Sequence, residues 1–216
     1  MPSQTSPRPG RRPGPKPRLT RQKIVEAAVD LGIEQISVQT VASALGVAPA
    51  SLYRYVESLD DLVGAALEAV FRSAPLPDPA LGWRGYLEAE AETRLDLLVR
   101  YAGLLQKHHA GLLAGIAARR FDRSVRDLVT LGFDPDEAVL AVDAVADLIH
   151  DGATQIARIH DPGDPERLSP ELVASLSRYS PEVSAAVARI AADPHRHLRR
   201  KLALVLDGLT ARHPQP

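Results

Sequence analysis

Apolar residues recur along almost the whole chain at spacings of three and four, the period of one helix face, and no stretch alternates convincingly as a strand would. The pattern predicts an all-α protein. Near the N-terminus, Ile24, Ala27, Ala28 and Leu31 fall at i, i+3, i+4 and i+7 behind Thr20, a suitable helix cap. Ser37 is placed to cap the next helix. Ser58 and Asp61 have capping-box spacing for a fourth helix running through Leu62, Ala66 and Val70 to about Arg72. Prolines 75, 77 and 79 then mark a linker over 75–80.

Beyond the linker, helical patterns cover 81–105, 107–131, 135–160, 169–178, 181–192 and 195–211. Pro162, Pro165, Pro170, Pro181 and Pro194 separate the later ones. The last segment carries Leu198, Leu202, Val205, Leu206 and Leu209 as one stripe. The longest carries Val139, Val142, Ala146, Ile149, Ala153, Ile156 and Ile159. Such stripes serve as intrachain core or pair with a second copy in a four-helix bundle, and a mixture of both roles is expected.

Residues 38–57, VQTVASALGVAPASLYRYVE, have the pattern of a helix-turn-helix. Val41, Leu45, Val47 and Leu52 supply apolar contacts between two short helices, and Ala42 is small enough to let them approach. Gly46 stands where the turn needs a left-handed backbone, and Pro49 suits the first turn of a second helix over roughly 49–56. A helix so placed implies docking in the major groove of DNA.

Composition bounds the alternatives. A chain of 216 residues, 45% hydrophobic and 25% charged, is ordinary for a soluble protein with one or two domains. The absence of cysteine excludes disulfides, thiolate metal sites and a cysteine nucleophile. With no run of membrane-spanning length and no apolar N-terminal signal segment, a cytoplasmic protein without membrane contact is expected. Net charge is only −1, yet Arg8, Arg11, Arg12, Lys16, Arg18, Arg21 and Lys23 all precede Glu26, the first acidic residue. Six prolines within residues 1–18 favour an extended arm there. Such an arm either follows phosphates or a minor groove, or is a solvated tail.

Over residues 19–71 the chain resembles the DNA-binding domain of the tetracycline-repressor (TetR) family, in LTRQKIVEAAVDLG, ALGVAPASLYRYV and SLDDLVGAALEAVF. Beyond residue 80, Trp83 and Arg84, GFDPDEAV and LDGL are similar to the divergent C-terminal domains of that family. The resemblance implies a three-helix helix-turn-helix domain over 19–73, preceded by a basic arm over 1–18. A helical-bundle domain for effector binding and dimerisation would cover 80–212. It further implies a homodimeric regulator, usually a repressor, that binds a palindromic double-stranded operator and responds to a small-molecule effector, with no cofactor and no catalysis.

By that resemblance Tyr53 and Tyr55 reach phosphates, while Pro49, Ala50, Ser51 and Arg54 lie on the DNA side, Arg54 being suited to guanine. Ser37, Gln39 and Thr40 at the start of the preceding helix, with Arg11, Arg12, Lys16 and Arg18 of the arm, complete the expected DNA contacts. Trp83, Tyr101, His108, His109 and His150 are the expected effector-pocket residues. Three departures stand out. The interval between Ala28 and Ala42 is about one helical turn short, Leu59 replaces a phosphate-binding lysine, and Ala48 replaces a capping serine.

The same residues raise two other readings. His150–Asp151 and His160–Asp161, with His108–His109, raise a metal-dependent hydrolase. On one helix, however, ten residues displace the two pairs by roughly 15 Å and turn them about 80° apart, too far for one ion. A helical interaction protein that has lost DNA binding is the third reading, favoured by Leu59 and Ala48 and opposed by Tyr53, Arg54 and the arm.

Overall fold

A computed structural model describes residues 19–107, 111–161 and 164–213, and side chains at 106, 107, 111, 112, 161 and 164–166 are outside the description. The described chain is helical almost throughout, as its periodicity predicts. Its internal contacts separate two units, one ending at Leu67 and the other starting at Glu68.

The first unit holds α1 (Arg21–Leu31), a single 3-10 turn (Ile33–Gln35), α2 (Val38–Leu45), α3 (Pro49–Leu52) and the first part of α4 (Leu59–Ser73). Thr20 caps α1 by accepting from the Lys23 N–H, and Gly32 ends it at φ 85°. The shortened interval after α1 is thus taken up by one tight turn, which buries Ile33. Ile24, Ala28, Val41, Ala42, Leu52, Val56 and Leu62 are also buried, whereas Leu31, expected on the inner stripe, is exposed.

The second unit takes the rest of α4, a 3-10 turn (Pro79–Leu81), α5 (Gly82–Arg100), α6 (Ala102–Lys107), α7 (Gly111–Thr130), α8 (Pro135–Ala157), α9 (Pro170–Leu176), α10 (Pro181–Ala192) and α11 (Pro194–Arg212). The division lies inside α4, ahead of the proline stretch the sequence marks as a linker. The reason is local. Arg120 donates to the Ala74 and Pro75 carbonyls at 3.1 and 2.9 Å, and the Phe71 ring lies 6.2 Å from that of Tyr101, so the stretch belongs to the second unit.

The prolines that separate the later helices do so by starting them. Asp134, Ser169, Ser180 and Asp193 each accept a backbone N–H with their side chain, and each is followed by proline in the first turn. The side chain satisfies one orphan donor, and proline has none to satisfy. The segment expected over 81–105 breaks at Tyr101, whose N–H bonds back to Leu97 while its carbonyl accepts from Leu104 and Leu105. The sequence marked no strand, but a small antiparallel ribbon pairs β1 (His160–Asp161) with β2 (Asp164–Leu168). Strands of this length are too short to show alternation.

Helix α8 is the hub of the second unit and packs on α5, α7 and α11. Its buried face is Ala138, Ala141, Val142, Val145, Ile149 and Ala153, closed by Leu198, Leu202, Leu206 and Leu209 of α11. Each fully buried leucine there contributes roughly 1.5–3 kcal/mol by leaving water. Both sequence stripes therefore form mainly intrachain core, and Val139 is an exception that points outward. Tyr86 crosses the α5–α7 interface, where its hydroxyl donates to Asp127 at 2.9 Å and burial pushes its pKa up to about 12.

Candidate nucleic-acid interface

Helix α2 begins with a reciprocal capping box. The Ser37 hydroxyl accepts from the Thr40 N–H at 3.1 Å, and the Thr40 hydroxyl accepts from the Ser37 N–H at 2.8 Å. Both residues were expected near DNA, and their side chains are engaged in building the helix. Gly46 then adopts φ 64°, ψ 35°, the left-handed turn the sequence requires, and the Val47 N–H returns to the Ala42 carbonyl.

The second helix is shorter than the expected 49–56, because regular α geometry stops at Leu52. Ala48 supplies no side-chain cap at the start. At the other end the Tyr55 N–H tightens onto the Leu52 carbonyl, and the Tyr55 carbonyl is taken by Arg21 Nη1 at 2.9 Å. Arg21 also makes a two-pronged ion pair with Asp61 at 2.7 and 2.8 Å. Asp61 accepts in addition from the Glu57 N–H at 2.9 Å. The Arg21 guanidinium holds the Asp61 carboxyl down at about 2 against the opposing effect of burial. Ser58 caps α4 through the Asp61 N–H, but the Asp61 side chain serves Arg21 and Glu57 instead of completing a capping box.

This clasp ties α1, the end of the second helix and the start of α4 together, which fixes one outward face. Leu52 and Val56 point in, whereas Gln39, Thr40, Pro49, Ala50, Tyr53, Arg54 and Tyr55 are exposed and Ser51 is half-buried. Tyr53 and Arg54 have no hydrogen-bond or ion-pair partner among the described residues, so their polar ends are free for an external acceptor. Arg11, Arg12, Lys16 and Arg18 lie outside the described residues.

Three of the residues expected to meet an effector are described. Trp83 is buried, edge-on to Phe133 at 5.5 Å, with its indole N–H unpaired among the described residues. Tyr101 is half-buried beside Phe71, His150 is exposed on α8, and His108 and His109 lie outside the described residues. Among the described residues no three His, Asp or Glu side chains gather as metal ligands, and no helix is long and apolar enough to cross a membrane.

Pattern reading missed the Arg21–Asp61 clasp and a buried ionic cluster. Glu90, 2% exposed, receives Arg120 through two bonds of 2.6 Å and Arg94 at 3.2 Å. The cluster did have a signal. Glu90 falls on the same α5 face as Trp83, Tyr86, Leu87, Ala91 and Leu95, where an unpaired charge would not be tolerated.

A helix-turn-helix with an exposed polar face is carried here by a chain whose second unit is also mainly helical. No family model matches the chain. It is 39% identical over 144 residues to the HTH-type transcriptional repressor DrrR1 of Streptomyces coeruleorubidus, covering 62% of this chain and 53% of that protein. It is 25% identical over 202 residues to the class C tetracycline repressor protein of Escherichia coli, covering 89% of this chain and 91% of that one. The chain spans about half the length of the first curated relatives it matches. Its fold matches the crystal structure of a possible TetR family regulator from Streptomyces coelicolor A3(2) at TM-score 0.59 and 23% identity, covering 89% of this chain and 100% of that one. The chain is thus similar in sequence to these repressors and shares the fold of a TetR family regulator. The relatives are transcriptional regulators, as the sequence motif implies.

Proposed function

We propose that the chain is a ligand-responsive transcriptional repressor of the cytoplasm that binds a palindromic operator as a homodimer. The observation that carries this reading is the outward face of the helix-turn-helix. It buries Leu52 and Val56 and leaves Tyr53 and Arg54 exposed with no hydrogen-bond or ion-pair partner among the described residues. A guanidinium so placed matches the two acceptors of guanine in the major groove, and the tyrosine hydroxyls suit phosphates. Gln39 and Ala50 flank them on the same unit.

A palindromic operator requires a dimer with two reading heads about 34 Å apart. Leu204 of α11 is 74% exposed, and Val139 and Leu140 of α8 are 45% and 47% exposed, which supplies apolar surface for a second copy. In this reading the mainly helical second unit holds the effector, and the likeness to a named repressor supports the direction of control.

Selection of bound sequences from a random duplex pool tests the proposal. The expected product is an inverted repeat with a guanine preference in each half-site and half-sites about one helical turn apart. If no selected duplex binds more tightly than bulk DNA, the proposal fails.

A further inference from the structure

We infer that a groove bounded by α8, α9, α10 and α11 binds a small apolar carboxylic acid. The groove encloses about 250 Å³, near the lower end of ligand-sized cavities at roughly 300 Å³. Its walls are Ile156 and Ile159 at the end of α8, Leu172 of α9, Val187 and Ile190 of α10, and Leu198 of α11. The floor is firm. A Cβ on Gly152 would stand 2.5 Å from Leu198 Cδ1, so α8 and α11 are in close contact there. None of Trp83, Tyr101 and His150 lines this groove.

The polar groups of the groove decide the ligand class. They are Gln155 on α8 and His197 and Lys201 on α11, and among the described residues no acidic side chain lines the space. His197 and Lys201 are four residues apart on one helix, hence neighbours on one face. Both are half-buried, and neither side chain has a hydrogen-bond or ion-pair partner among the described residues. An ammonium drawn partly out of water without a counter-ion is disfavoured, and a bound carboxylate would relieve that. The surrounding turns add to the attraction, since α11 opens with the run HRHLRRK over 195–201. The nearby Asp193 is occupied as the α11 cap, accepting from the Arg196 N–H at 3.0 Å. A neutral apolar ligand would leave Lys201 unpaired, and a cationic one would meet it as a like charge.

The inference goes beyond the regulator reading and is tested without DNA. Titration calorimetry of the full chain at neutral pH would use octanoate, octanol and octylamine as probes. Octanoate is expected to bind saturably at one site per chain, at least tenfold more tightly than the other two. Lys201→Met should lower octanoate affinity about tenfold or more, the worth of one charge-assisted hydrogen bond, and leave octanol binding unchanged. Val187→Trp, which fills the groove, should abolish octanoate binding while the variant keeps its helical circular dichroism. Octanol binding as tightly as octanoate, octanoate binding indifferent to Lys201→Met, or no saturation in the millimolar range would overturn the inference. Octanoate affinity that falls as the chain is concentrated and self-associates would assign the groove to a second copy, and would overturn it too.

Discussion

Replacing Asp61 with asparagine should weaken the N-terminal unit by an amount that depends on pH. The carboxyl is held at about 2 instead of 3.8, chiefly by the Arg21 guanidinium. At full strength that difference corresponds to about 2.4 kcal/mol. Solvent meets 47% of the Arg21 side chain and 27% of the Asp61 side chain, and screening at that exposure leaves about 1 kcal/mol. Because the folded-state value is depressed, this stability is fully present above pH 3.8 and is lost as pH falls through about 2.

Urea unfolding followed by far-ultraviolet circular dichroism, stepped from pH 7 to pH 2.5, measures the loss. Asp61→Asn should trail the parent chain by about 1 kcal/mol at pH 7, with the gap narrowing below pH 4. Arg21→Met should give a similar loss, and the double variant should lose little more than either alone. The sole tryptophan, Trp83, reports separately on the second unit. A gap that stays constant down to pH 2.5, or losses that simply add in the double variant, would refute the clasp as the source.

Three further outcomes are expected. Arg54→Ala should cost about 1–3 kcal/mol in operator affinity and relax preference at one base pair per half-site, read by repeating the pool selection; a uniform loss over all sequences would make Arg54 a phosphate contact. Deleting residues 1–18 should flatten the dependence of log affinity on log salt by up to about 4, if all five basic residues of that arm meet phosphates. Glu90→Gln should destabilise the second unit by about 3 kcal/mol, seen as an earlier Trp83 fluorescence transition, because Arg94 and Arg120 lose their buried counter-charge.

Most helices were legible because their starts are chemically explicit. Thr20, Ser37 and Ser58 are hydroxyl caps, and the Asp-Pro and Ser-Pro pairs mark the later starts. The turn at Gly46 was legible for the same kind of reason, since one backbone conformation there demands one residue type. Features that depend on distant partners were hidden. The end of the second helix is set by Arg21, 34 residues away, and the hold on the proline stretch by Arg120, 45 and 46 residues away. Nothing local in RQKIVE announces an arginine bound to the Tyr55 carbonyl. The α8 stripe was read one position off at Val139, because Ala138 and Ala141, small residues with weak hydrophobic signal, face the core in its place.

The four helix starts at Asp134, Ser169, Ser180 and Asp193 carry a consequence for how the second unit tolerates change. Proline narrows the unfolded chain at each start, contributing about 0.4–1 kcal/mol apiece without touching any other residue. A ring with no N–H is also unsuited to a helix interior, so α8, α9, α10 and α11 cannot slide their starting points along the chain. Insertions and deletions are therefore pushed into the connections between helices. The bodies of these helices are left to vary by substitution, which alters the chemistry of a groove while its walls keep their phase.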